Sequence, residues 1–167
     1  MPDADLCASC GNAFPAGQVC DTCRSPDTQP ARQLAVFGAV DGLTLVIGLI
    51  FGLIVARQAP AAVWHAALGG ASGELIGMST GQHMSDPDSG WPAAAACGIA
   101  GGLAVVMPAF PYLALTGAAA LGAALGITAV VAGIIAWLRP EHGVAAVART
   151  FGILAGAGLL SGLTGLI

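Results

Sequence analysis

From Leu34 to Ile167 the chain carries almost only apolar and small residues, broken by short polar or proline-marked stretches. An α-helix needs roughly 20 apolar residues to cross a hydrocarbon core. The breaks divide this region into five segments of about that length: 34–56, 61–82, 92–115, 117–138 and 143–167. They are Arg57-Gln58-Ala59-Pro60, the polar run Met84 to Gly90, a turn near Thr116, and Arg139-Pro140-Glu141-His142. No charge marks the turn near Thr116, so a re-entrant fusion of the third and fourth segments is the alternative there. Charged residues are 8% of the chain and hydrophobic ones 56%, whereas a soluble domain is about a quarter charged. The expected fold class is therefore an all-α membrane protein of about five transmembrane helices.

Charge placement orients such a chain. There is no lysine, and the five cations are Arg24, Arg32, Arg57, Arg139 and Arg149. With the N-terminus in the cytosol, only Arg57 lies outside, and cytosolic loops carry the excess of arginine. The reading is N-in, C-out, in contact with the lipid bilayer. The stretch from Met1 to Gln33 lacks a basic segment followed by an apolar run, so the first span is expected to act as an uncleaved anchor. Arginine without lysine, with abundant alanine and glycine, points to a GC-rich bacterium and hence to an inner membrane. A net charge of −4 argues against a nucleic-acid partner, which requires a basic surface.

The polar N-terminal tail holds Cys7-Ala-Ser-Cys10 and Cys20-Asp-Thr-Cys23. Two C-x2-C turns aim four thiolates at one tetrahedral ion, which makes residues 1–24 a zinc-ribbon-like knuckle with a structural Zn²⁺. Rubredoxin-like iron or a redox pair are the alternatives. A tail this short has too little core to fold alone, so the plain role is a staple; a metal sensor or docking module is the sharper one. Residues 25–33, rich in proline and polar side chains, read as a linker to the membrane domain at 34–167.

Two acids fall inside predicted spans, Asp41 in the first and Glu74 in the second. Each costs on the order of 3 kcal/mol at a helix centre, so such residues face a cavity or partner and mark an ion path. Asp41 lies about seven residues, roughly 10 Å, from the cytosolic end of its span, and Glu74 about eight from its own. The two can therefore sit at one depth. Asp41 shares a stripe with Gly38, Gly48 and Gly52, and Glu74 with Gly70, Gly77, Met78 and Gly81. Such glycines let helices approach. Met78, one turn from Glu74, adds a thioether, and sulfur beside carboxylate favours a borderline transition ion. Core packing is the plain alternative for Met78, and a hydrated structural acid for each carboxylate. His83, Met84, Asp86 and Asp88 could collect metal at the cytosolic end or form a solvated loop. Pro108 and Pro111 should kink the third span. Cys97 reads as a small buried residue, and Trp64 and His65 as interfacial anchors.

These residues resemble the vacuolar iron transporter (VIT-type) family. Gly38-Ala39-Val40-Asp41-Gly42-Leu43 is similar to the Asp-Gly start of its first helix. Ala71 to Ser79 is similar to its small-residue second helix, with Met and Glu one turn apart. Pro108-Ala109-Phe110-Pro111-Tyr112 looks like its P-x-x-P, and the last span with Arg149 fits its fifth helix. The resemblance covers about residues 33–167. Val40 stands where the family has Asn, and Glu74 and Met78 exchange the family's Met and Glu. The family's Glu-rich cytosolic helices are missing, and the cysteine knuckle is an addition. The resemblance implies a homodimer with its path between the two first helices. It also implies export of Fe²⁺ or Mn²⁺ from the cytosol against protons, with Asp41, Glu74 and Met78 holding the transported ion. No nucleophile–base pair stands in the spans, so no enzyme is expected. The rival reading is a non-transporting membrane scaffold that displays the knuckle to a cytosolic partner.

Overall fold

The computed structural model describes residues 4–6, 13–15, 31–87, 90–138 and 144–164. A backbone in lipid must satisfy its own hydrogen bonds, and the described apolar stretches do so as helices. They are α1 (Ala31–Val55), α2 (Pro60–Ser85), α3 (Gly90–Ala109), α4 (Gly117–Leu138) and α5 (Val144–Thr164). Strand β1 (Ala4–Leu6) pairs antiparallel with β2 (Ala13–Pro15), Leu6 opposite Ala13. The two strands flank Cys7 and Cys10 in sequence. The predicted knuckle of Cys7, Cys10, Cys20 and Cys23 itself lies outside the described residues. Helix α1 starts at Ala31, so the end of the expected linker, from Ala31 to Gln33, is helical.

Among the described residues, four helices are long and apolar enough to cross a membrane: α1, α3 with the turn that follows it, α4, and α5 from Val147. These mark a multi-pass membrane protein. The fifth predicted span is α2, which matches α1 in length but falls outside that set. From Ser72 onward it carries Ser72, Glu74, Ser79, Thr80, Gln82 and His83, and these dilute its apolar character. The large side chains exposed on α4 and α5, such as Val130, Ile134, Trp137, Leu159 and Leu160, form the surface that hydrocarbon suits.

The breaks between helices have local causes. At the end of α1, Gln58 N–H donates to Leu53 C=O and Arg57 N–H to Ile54 C=O, both at 2.9 Å, while Arg57 adopts φ 55°. That is a Schellman cap with arginine in the left-handed position usually given to glycine. Pro60 then opens α2, where its missing N–H is no loss. The uncharged break near Thr116 is a true turn, made by Gly117 at φ 59°. The third and fourth spans are thus separate helices, each long and apolar enough to cross a membrane. Pro108 and Pro111 do not simply kink α3. The helix ends at Ala109 and continues as a 3₁₀ turn, Phe110–Leu113, a tighter winding common at helix ends.

Helix α3 lies between α1 and α2, and two adjacent small-residue faces let it do so. On one face, a methyl group at Gly38 would lie 2.0 Å from the Cys97 carbonyl oxygen, and one at Gly42 2.2 Å from that of Gly101. On the other, a methyl at Gly98 would lie 2.3 Å from the Leu75 carbonyl oxygen, and one at Gly102 3.1 Å from that of Ala71. At Gly38, Gly42 and Gly98 the touching backbones leave no room for a side chain, and at Gly102 the fit is tight, the packing that membrane helices use in place of a hydrophobic drive. The Arg32 guanidinium, at the start of α1, donates to the Leu138 carbonyl at the end of α4. It satisfies one of the orphan carbonyls of that helix end.

A candidate cation site between three helices

Asp41 stands about three helical turns into α1, and Glu74 about three turns before the end of α2. Because α1 and α2 are antiparallel neighbours, these depths coincide. The two side chains line one cleft and lie close enough for their charges to interact. Glu74 Oε1 is buried and receives no hydrogen bond among the described residues, whereas Asp41 is exposed on the flank of the single chain. Two ionised carboxylates side by side repel, the more strongly the less water screens them. The pair thus calls for something positive between them, a proton or a metal ion.

The glycines that bring the acids together differ from those the helical stripes pointed to. Gly101 of α3 makes room for Glu74: a methyl group there would lie 2.7 Å from Glu74 Cγ and 3.0 Å from Oε1. Gly38 packs on α3, and Gly48 and Gly52 face Ser161 of α5. On α2, Gly70 meets Leu45 of α1, while Gly77 and Gly81 have none of the described residues near them. The convergence of Asp41 and Glu74 therefore passes through α3. The sequence holds a signal for this in the Gly98, Gly101, Gly102 cluster of the third span.

A cleft of about 450 Å³ opens beside the acids, lined by Asp41, Thr44, Leu45, Gly48, Leu49, Glu74 and Ser161. Among the described residues, no cationic side chain lines it. Arg149 is exposed on α5 and is not part of the lining. Thr44 Oγ1 donates to the Val40 carbonyl at 2.8 Å, and Ser161 Oγ donates across to the Gly48 carbonyl of α1. Neither Thr44 nor Ser161 stands out in the sequence. Thr44 is legible as the residue one turn along from Asp41, but only the α1–α5 packing discloses Ser161. Among the described residues, no three His, Cys, Asp or Glu side chains cluster as a metal site. The oxygen donors here are two carboxylates and two hydroxyls.

Met78 does not line this cleft. It packs against the cluster of Leu34, Ala93 and Cys97, and Cys97 is fully buried. Towards the same end, His83 stacks on Trp91 with ring centroids 4.2 Å apart, and its Nδ1 is buried without a hydrogen-bond partner among the described residues. Asp88, Glu141 and His142 lie outside the described residues. Trp64 makes an edge-on contact with Phe110, centroids 6.3 Å apart, so it packs against the turn that follows α3. A larger cleft of about 730 Å³ between α1, α4 and α5 is lined almost wholly by apolar side chains, among them Phe51, Leu125 and Phe151. Among its described lining residues the one polar side chain is Thr128, which bonds back to the Ala124 carbonyl, and no carboxylate reaches it.

No known family's sequence pattern, no curated protein and no solved structure matches the chain.

Proposed function

We propose that this chain is a membrane transporter for a divalent transition-metal ion, Fe²⁺ or Mn²⁺, which it exports from the cytosol in exchange for protons. The observation that carries the reading is the meeting of Asp41 and Glu74 at one depth, in a cleft that no cationic side chain of the described residues lines. Two carboxylates neutralise either one divalent ion or two protons, and that alternation is the minimal device for exchange. The five helices then act as five crossings with the N-terminus inside. The polar half of α2 is tolerated because Glu74 and Ser79 pack on α3 and a cavity adjoins Glu74, while the exposed Ser72 and Thr80 return their hydroxyl protons to their own helix.

The exposure of Asp41 supports a homodimer. Phe37, Asp41 and Leu45 form an exposed stripe along α1, and a carboxylate at that depth cannot be left facing hydrocarbon. A second copy laid across α1 closes the cleft from lipid and places four carboxylates on one path. This is the arrangement that the resemblance to VIT-type transporters implies. The four-cysteine knuckle, with its structural zinc, is an accessory on the cytosolic side.

The test is metal uptake into proteoliposomes. Asp41→Asn is isosteric and removes one negative charge. It should abolish Fe²⁺ and Mn²⁺ uptake while the protein still elutes as a folded dimer. Uptake at the wild-type rate would remove the carboxylate pair from the transport path.

A further inference from the structure

We propose that the cation leaves the carboxylate pair along the seam between α1 and α5, and that the hydroxyls of Thr44 and Ser161 are its ligands on that route. The inference rests on the cation reading above and adds to it a direction and two specificity-determining residues.

Depth is the first argument. Along α1, Thr44 lies about one turn beyond Asp41, and Gly48 about another turn beyond Thr44. Ser161 is about as far into α5 as Gly48 is into α1, and the two helices run side by side there, since Ser161 hydrogen-bonds the Gly48 carbonyl. The cleft that begins at Asp41 and Glu74 therefore extends away from the Arg32 end of the bundle, along α1, to a wall made by α5. A glycine notch lets α5 come this close. A methyl group at Gly52 would lie 2.8 Å from Ser161 Oγ, and one at Gly48 would touch Ser161 Cβ at 3.6 Å.

The second argument counts donors and acceptors. A hydroxyl has one proton to donate and two lone pairs to offer. Thr44 commits its proton to the Val40 carbonyl and Ser161 commits its own to the Gly48 carbonyl. What each can present to the cleft is a lone pair. The other polar side chains among the described lining residues are the two carboxylates, and the rest of the lining is Leu45, Gly48 and Leu49. Every polar side chain of this lining thus acts as an acceptor, which suits a cation and rejects an anion. The donors to a metal are all oxygen, while the sulfurs of Met78 and Cys97 belong to a separate cluster. Oxygen-only lining favours Mn²⁺ and its harder neighbours over thiophilic ions such as Cd²⁺.

A Thr that bonds back to its own helix and a Ser that bonds to a neighbouring one also serve packing alone, so the test must read something packing does not change. Ser161→Cys exchanges the hydroxyl for a soft sulfur at the same position. Mn²⁺ uptake by this variant should be inhibited by Cd²⁺ at a concentration at least about tenfold below that needed for the wild type, because the new thiolate holds the soft ion on the path. Leu160→Cys, at a side chain 68% exposed on the outside of α5, should leave Cd²⁺ sensitivity unchanged. If Ser161→Cys does not fold, Thr44→Cys is read in the same assay with the same expectation. Wild-type Cd²⁺ sensitivity in the folded variant overturns the route. If Asp41→Asn is at the same time inactive, the carboxylate site stands without it; if Asp41→Asn transports normally, the cation reading itself falls.

Discussion

Gly101 of α3 faces Glu74 of α2 so closely that a single methyl group on the glycine would lie 2.7 Å from Glu74 Cγ. The same methyl would stand 3.1 Å from the Gly38 carbonyl oxygen of α1. The missing side chain at 101 is thus what allows three helices to meet at the depth of the acids. Gly101→Ala must push Glu74 out of line or part α3 from α1. Overpacking of this kind costs about 1–3 kcal/mol. The variant should lose at least about tenfold in metal uptake, since small misplacements at a binding site are felt strongly. Thermal unfolding in detergent alongside proteoliposome flux checks both. An alanine variant with unchanged stability and flux would show that the helices do not approach this closely.

Met78 offers a sharp contrast with Glu74, one turn earlier on the same helix. The thioether packs with Leu34, Ala93 and Cys97 and not in the cleft. Leucine conserves its volume, and such exchanges cost under about 1.5 kcal/mol. Met78→Leu should therefore keep metal uptake within about threefold of the wild type, where loss of a direct ligand costs about tenfold or more. Glu74→Gln should be inactive in the same assay. A Met78→Leu protein that folds but fails to transport would restore the thioether as a ligand of the ion.

The proposed cysteine knuckle offers a test that separates accessory from machinery. Elemental analysis of the purified protein should find one zinc per chain, lost in Cys7→Ser, because four thiolates are needed to close a structural site. Uptake by the zinc-free variant should persist, and Asp41→Asn should retain its zinc. Transport that vanishes with the zinc would make the knuckle a regulator. If transport were absent in every form, and function in the cell were lost with residues 1–30, the chain would instead be a scaffold for a cytosolic partner.

Arg57 holds φ at 55° at the cap of α1. A side chain in this left-handed region costs on the order of 1 kcal/mol that glycine does not incur. Arg57→Gly should accordingly raise stability by up to about 1 kcal/mol, measured as a higher unfolding temperature in detergent. A decrease would mean that the guanidinium contributes more at the membrane surface than the backbone strain costs.

That the chain is helical and made for lipid is legible in its residues alone. Long apolar runs with scarcely any charge leave a backbone no other way to satisfy its hydrogen bonds in hydrocarbon. The breaks fall near the expected places because proline, glycine and arginine act locally. The common depth of Asp41 and Glu74 is legible too, since rise per residue is fixed and the two helices are antiparallel. Which helix faces meet is a different matter, settled only by the packing of the whole bundle. Helical stripes placed Gly77 and Gly81 beside Glu74 as packing residues, yet none of the described residues lies against either; the stripe on α1 split between α3 and α5. A helix of small residues can pack on almost any face, so its pattern names no partner. The contribution of Gly101, the position of Ser161 beside Gly48, and the separation of Met78 from the acids all follow from that choice of faces, which distant segments make together.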